Sequence, residues 1–333
     1  MKKIVLRYTL VAIMLVAFIV SAMPGSAAIV SGMKPYLQAV TTSSVYVLLE
    51  CTTTDTVTAE WGPTTSYGSA ATTEFYLTTN SSTYVHRVKL TNLSANTLYH
   101  YRAGQAGAWS ADSTFTTAPN PGTSFRFACY TDCRTQTSIH DTCANRVMGY
   151  NPALMLEGGD QCYYSTYESY KDEFFVPNEL ALINKTPWVL GVGNHEDDGV
   201  NTKAFTQGTN GDKLYFSFDY GDVHFVTLNT EDSSSSTGLA VGGAQYNWLD
   251  NDLAATGKPW KIVLYHKSAY CAGGEGENAM MKTVHQNIFC LGACRRSIRA
   301  TLISTSTTWW TGSIVFRSAP SGPILLRRAP RIT

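Results

Sequence analysis

Apolar and polar residues alternate in several short runs of the first third of the chain. Val45-Tyr46-Val47-Leu48-Leu49, Val57-Thr58-Ala59-Glu60-Trp61, Tyr84-Val85-His86-Arg87-Val88-Lys89-Leu90 and Leu98-Tyr99-His100-Tyr101-Arg102 are rich in β-branched and aromatic residues. Turns of Gly, Ser, Thr and Asn separate them at short intervals, which predicts a small β-sandwich over 33–118. Thr116-Thr117-Ala118-Pro119-Asn120-Pro121-Gly122 is a natural boundary. From Ser124 onward, strand-like runs alternate with helical stretches. Strands are predicted at Phe125–Cys129, Ala153–Leu156, Trp188–Val192 and Trp260–Tyr265. Helices are predicted at Ser138–Tyr150, with Ser138 as N-cap, and at Tyr167–Leu182 and Gln245–Leu253. Tyr215–Tyr220 and Val223–Leu228 read as a hairpin across Gly221-Asp222. This rhythm implies a layered α/β region whose ligands bind beyond the carboxyl ends of the strands.

Composition refines this picture at the two ends. Lys2, Lys3 and Arg7 precede an apolar run, Leu10–Val20, and small residues lead to Ala28. That order is a signal peptide over 1–28, too short in its apolar core for a stable span, and it implies a secreted, periplasmic or extracellular protein with no membrane span after cleavage. The formal charge of zero hides an asymmetry. Every acidic residue lies at or before Glu277, and the segment from Cys290 carries seven Arg and no Asp, Glu or Lys. Without leader and tail the chain holds fifteen basic against twenty-five acidic residues, a net of −10, which argues against a nucleic-acid surface. The eight cysteines contain no CxxC pair, so a thiolate zinc site is disfavoured, and disulfides are open to an exported chain.

The candidate chemistry lies in four blocks, each following an apolar run: Tyr130-Thr131-Asp132-Cys133-Arg134, Gly159-Asp160-Gln161-Cys162-Tyr163, Gly193-Asn194-His195-Glu196 and Val263-Leu264-Tyr265-His266. Carboxylate, phenolate, amide and imidazole donors of this kind suit hard cations. Asp132, Asp160, Tyr163, Asn194 and His266 are the candidate metal ligands, Asp160 as the bridge between two ions. Two such ions would acidify a water and clamp a phosphoryl group in in-line displacement. His195 suits a donor to the leaving-group or phosphoryl oxygen, with Glu196 or Asp197 orienting its ring, and Arg134 suits a fork on phosphate oxygens.

These blocks resemble those of the purple acid phosphatases, within the calcineurin-like metallophosphoesterases. Gly-Asp-x-x-Tyr at 159–163, Gly-Asn-His-Glu at 193–196, Asp132 and His266 carry the resemblance. Lys34-Pro35-Tyr36-Leu37-Gln38, Tyr215–Thr230, Gln245-Tyr246-Asn247-Trp248-Leu249 and Lys258-Pro259-Trp260-Lys261 extend it over about 33–289. Leu93–Tyr99 is similar to the corner of fibronectin type III domains in which a Tyr hydroxyl ties the turn. The resemblance implies a fibronectin III-like N-terminal domain (29–120) followed by an αββα metallophosphoesterase domain (124–289). It also implies hydrolysis of phosphate monoesters of small molecules, and a cofactor of two metal ions, Fe(III) with Fe, Zn or Mn. A phosphodiesterase or nucleotidase of the same superfamily, and a non-catalytic exported binding protein, are the competing readings.

The resemblance stops near Phe289. The family continues with a helix, a strand and Gly-His-x-His, whereas no histidine follows His285 here. The segment 290–333 is read as an aberrant basic tail, an out-of-frame translation of the rest of the domain. The expectation is a central sheet short of its later strands, a metal centre short of two imidazoles, and activity in question. The two other reading frames downstream of the Phe289 codon are expected to encode a Gly-His-x-His segment; if neither does, the frameshift explanation fails.

Overall fold

The computed structural model describes residues 28–105, 107–196, 199–208, 214–270 and 277–290, and the backbone of 299–303, 314–319 and 322–328. The expected leader therefore lies outside the described residues but for its last position. Among the described residues no helix is long and apolar enough to cross a membrane.

The N-terminal region is built from β1 (Tyr36–Gln38), β2 (Val45–Cys51), β3 (Thr58–Gly62), β4 (Ser69–Thr72), β5 (Phe75–Thr78), β6 (Tyr84–Leu90), β7 (Leu98–Gln105), β8 (Ala108–Trp109) and β9 (Ser113–Thr116). They form two sheets, β1-β2-β6-β5 and β4-β3-β7-β8, with β9 also on β7. Alternate residues Val45, Val47 and Leu49 of β2 meet Ala59, Trp61, Tyr101 and Ala103 of the facing sheet in one core. The Ser94 N–H donates to the Tyr99 hydroxyl at 2.9 Å, which is the corner expected from sequence. The opposite face of β2 and β6 is also covered. Leu48 and Val85 pack with Tyr36, Phe174, Phe175 and Phe205, which explains why β2 reads as an almost unbroken apolar run.

The α/β region contains β10 (Arg126–Tyr130), α1 (Thr137–Met148), β11 (Leu154–Glu157), α2 (Tyr167–Ser169), α3 (Pro177–Ile183), β12 (Trp188–Leu190) and α4 (Val200–Phe205). The hairpin β13 (Phe216–Tyr220) and β14 (Val223–Thr227), then α5 (Ala244–Ala255), β15 (Trp260–Leu264), α6 (Ala279–Val284), β16 (Arg299–Ile303), β17 (Ile314–Ala319) and β18 (Gly322–Arg328) follow. Two sheets, β12-β11-β10-β17-β18 and β13-β14-β15-β16, lie face to face. Phe127, Leu154 and Leu156 of the first meet Phe225, Ile262 and Leu264 of the second. Helices α1 and α3 cover Ala128, Met155 and Trp188 on one outer face. Leu249 and Leu253 of α5, with Met281 and Val284 of α6, cover Val226 and Val263 on the other. The result is the layered α/β arrangement the sequence rhythm predicts, in the α/β/β/α order that the resemblance implies.

Three details differ from expectation. Helix α1 begins at Thr137 with Gln136 as its cap and no side-chain cap bond, so Ser138 lies inside the helix. The stretch 167–182 is broken at Val176 (ψ 158°), because Pro177 forces the residue before it into extended conformation. The sheets keep later strands: β16 pairs parallel to β15, and β17 pairs antiparallel to β10. Main-chain donors and acceptors pair whatever side chains they carry, so this pairing does not require the family's own sequence.

Polar bonds join the sandwich to the α/β region. Arg87 of β6 is fully buried, and its guanidinium donates to the carbonyls of Lys203 (3.0 Å), Ala204 (2.9 Å) and Thr206 (2.9 Å) at the C-terminal end of α4. Lys171 pairs with the buried Glu50 of β2 at 3.0 Å. Asn184 donates to the Pro35 carbonyl at 2.7 Å and offers its own carbonyl to the Tyr101 hydroxyl at 2.6 Å.

A second clamp holds α5 on its sheet. His224 of β14 lies 2.8 Å from Asp219 through Nδ1 and 2.8 Å from Asp252 through Nε2. Both partners are acceptors, so both ring nitrogens must donate. Burial acts to lower the His224 pKa, but the two carboxylates outweigh it and leave the pKa raised. The resulting stability is fully present below the unfolded value of about 6.5 and is lost as pH rises through the higher folded value. The melting-temperature gap between wild type and His224→Asn is accordingly expected to be wider near pH ~5 than near pH ~9; an equal gap at both would show that the imidazolium is not the stabilising form.

Candidate metal centre

β10, β11 and β12 run parallel, as do β14 and β15, so their carboxyl ends share one edge of the layered core. A parallel bridge between Val192 and Asn229 ties the two sheets there. Asp132 follows β10 by two residues, Asp160 follows β11 by three, Asn194 follows β12 by four and His266 follows β15 by two. The four loops therefore meet at one point.

The approach of these loops depends on backbone that few side chains tolerate. Asp132 (φ 54°) and Asp160 (φ 57°) both sit in the left-handed region, which Asp accepts more readily than most residues. Gly159 (φ 104°) has no room for a Cβ, which would lie 2.6 Å from the Gly193 nitrogen and 2.9 Å from His266 Nδ1. The Asp132 N–H donates to the Gly159 carbonyl at 3.0 Å, and the Arg134 N–H to the Asp160 carbonyl at 3.3 Å, so the first two loops are hydrogen-bonded.

One ligand atom from each of Asp132, Asp160 and His266 lies within 4.8 Å of the others, a cluster able to coordinate one metal ion. The orientation of His266 follows from its neighbours. Nδ1 is 3.2 Å from the Gly158 carbonyl, which can only accept, so Nδ1 carries a proton and Nε2 is the nitrogen turned to the cluster. That Nε2 lies 3.2 Å from Asn194 Oδ1 and 3.3 Å from Asp160 Oδ1. A cation at this point would take the place of any proton on Nε2 and be met by a lone pair from each of the three atoms. Asp132 is exposed along its outer edge, but its carboxyl faces the crossing of the loops. Burial there raises its pKa; the positive partners His266 and Arg134 oppose the rise and the Asp160 charge adds to it.

Two further side chains touch Asp160. Arg134 Nη1 donates to Asp160 Oδ2 at 2.8 Å. His195 gives its Nδ1 proton to the Tyr163 carbonyl at 2.6 Å and holds Nε2 4.0 Å from Asp160 Oδ2. Tyr163 is 43% exposed; its ring packs against His195 (centroids 4.8 Å apart) and Tyr164 (4.7 Å), with Arg134 Cζ 6.0 Å from its centre. Asp132, Asp160, Asn194 and His266 are thus brought together, and Arg134, His195 and Tyr163 flank them.

Glu196 does not orient His195 as the sequence suggested. Its buried carboxylate accepts the N–H groups of Asp160 (2.7 Å), Gly193 (2.9 Å) and Cys162 (3.2 Å), stapling the second and third loops. Burial and the Asp160 charge raise its pKa to about 7 against the pull of those three donors. Asp197, the other candidate, lies outside the described residues. Glu173 was not singled out at all. Its carboxylate accepts the N–H of Thr135 at 2.5 Å and of Tyr163 at 3.3 Å, joining the first and second loops. Nothing in the Lys171-Asp172-Glu173-Phe174 run marks it as anything but a solvated helix residue. The thiols of Cys51, Cys129, Cys133, Cys143 and Cys162 are free.

Residues 31–117 match the family model for the purple acid phosphatase N-terminal domain. The chain is 31% identical over 215 residues to purple acid phosphatase 22 of Arabidopsis thaliana, covering 58% of this chain and 47% of that protein. It is 29% identical over 230 residues to purple acid phosphatase 23 of the same plant, covering 56% and 49%. The chain thus spans about half the length of these relatives. Among solved structures, purple acid phosphatase PPD1 from yellow lupin (Lupinus luteus) seeds superposes with a TM-score of 0.70 at 18% identity, covering 88% of this chain and 71% of that one, a likeness of fold.

Replacing Glu196 by Ala would leave three buried N–H groups without an acceptor. The expected cost is on the order of 3 kcal/mol in denaturant unfolding and a loss of roughly 10–100-fold in metal affinity. Wild-type metal affinity in a folded Glu196→Ala variant would show that the staple does not position the ligands.

Proposed function

Because this chain belongs to the purple acid phosphatase family, within the calcineurin-like metallophosphoesterase superfamily, we propose that it is a metal-dependent phosphoric-ester hydrolase acting on phosphate monoesters of small molecules. The observation that carries this reading is the convergence of Asp160 Oδ1, Asn194 Oδ1 and His266 Nε2, each able to donate a lone pair to a cation, beside Asp132. Asp132, Asp160, Asn194 and His266 would hold a hard cation, which supplies Lewis acidity toward a phosphoryl group when bound. The chain's own residues do the rest. His195, with Nδ1 fixed by the Tyr163 carbonyl, presents Nε2 to donate a proton to the leaving-group oxygen. Arg134 sets a permanent positive charge beside the carboxylate cluster, where a phosphoryl oxygen can share its planar fork. Gly159 and Gly193 keep the loops close enough that the donors face a single point.

The family resemblance carries export from the cell through the leader at 1–28, which is part of the proposal. It also implies a second ion, an Fe(III) paired with Fe, Zn or Mn, with Tyr163 as a phenolate ligand, and the number of ions bound decides between that and the one-ion centre argued below. Among the described residues the cluster supplies three carboxylate and imidazole ligands rather than a full two-ion set, and this favours a second reading in which the chain is a non-catalytic exported binding protein.

The two readings separate on one assay. Under the hydrolase reading the full chain cleaves p-nitrophenyl phosphate after addition of Fe, Zn or Mn. A chelator then abolishes turnover, and Asp160→Ala lowers it by about two orders of magnitude or more. Turnover indifferent to both treatments, or no turnover from a metal-loaded chain, decides for the binding protein.

A further inference from the structure

Resting on the hydrolase reading, we infer that the Arg134 guanidinium occupies the place of a second cation, so that this centre takes one metal ion and pairs it with a fixed organic charge. A carboxylate that bridges two ions gives one oxygen to each. Asp160 divides its oxygens in that manner: Oδ1 faces His266 Nε2 at 3.3 Å, and Oδ2 accepts Arg134 Nη1 at 2.8 Å. The same guanidinium lies 6.0 Å from the centre of the Tyr163 ring. An ion shared by Asp160 and Tyr163 would have to displace it. Arg134 is also held at the main chain, its N–H bonded to the Asp160 carbonyl at 3.3 Å, so side chain and backbone converge on one residue.

A guanidinium stays protonated at every pH at which the protein is folded, needs no ligands beyond carboxylate oxygens, and can bind a phosphoryl oxygen through its other N–H groups. The charge on which phosphoryl transfer depends is thereby divided between an exchangeable ion and a covalent one.

Metal binding to the chelator-stripped full chain tests this. Zn(II) or Mn(II) titrated by calorimetry, with elemental analysis after gel filtration, is expected to give one ion per wild-type chain. Arg134→Ala, which removes the competing charge, is expected to tighten that ion's Kd by about tenfold or more. Arg134→Lys, which keeps the charge, is expected to stay at one ion. Two ions per wild-type chain, or an unchanged or weaker Kd in Arg134→Ala, would overturn the inference while leaving the hydrolase reading intact. No ion at all would overturn both.

Discussion

The centre depends on a carboxylate that would not itself hold a metal. Glu196 accepts three main-chain N–H groups from two different loops, and by doing so fixes the separation of Asp160 and Asn194. Each loop on its own is a short strand exit that ends in glycine and could take several paths. Joined at Glu196, they have one. The left-handed backbone of Asp160 and the absent Cβ of Gly193 are both consequences of that crossing, because an added Cβ at Gly193 would lie 2.2 Å from Asp160 Oδ1. Glu173 repeats the device between the first and second loops, again through main-chain donors. The ligands are therefore placed by two acids, Glu196 buried and Glu173 half-buried, that collect backbone dipoles, and the dipoles stabilise those acids in return.

How much of this was legible in the sequence follows from the range of the interactions. The hairpin across Gly221-Asp222 and the Tyr99 corner were readable because each is closed by residues a few positions apart. The positions of Asp132, Asp160, Asn194 and His266 were readable because each closes an apolar strand, and strand ends in a parallel sheet are brought together by topology alone. The role of Glu196 was not. It sits beside His195 in the chain, which suggested that it orients that ring, but its partners lie on loops up to thirty-six residues away. The burial of both faces of β2 was likewise invisible locally, since it reflects the α/β region packing on the back of the sandwich. The pairing of β16 and β17 left no mark in side-chain resemblance, because strand pairing is a property of the main chain.

The site also illustrates how a fold and its chemistry separate. The layered sheets, the helices that cover them and the strand-end loops share their fold with the lupin purple acid phosphatase, while among the described residues three metal-ligating side chains gather at the loops with an arginine beside them. A scaffold of this kind places whatever residues stand at the strand ends, so a change of a few side chains alters the charge inventory without altering the frame.

Arg87 closes the C-terminal end of α4, the helix that follows the His195 loop, from β6 of the N-terminal sandwich. The stop signal of that helix is thus written in a different part of the gene from the helix itself. Recombination that transferred the downstream half alone would deliver a helix with three bare carbonyls facing apolar surroundings. The upstream half thus acts as a splint for the helix that follows the imidazole-bearing loop.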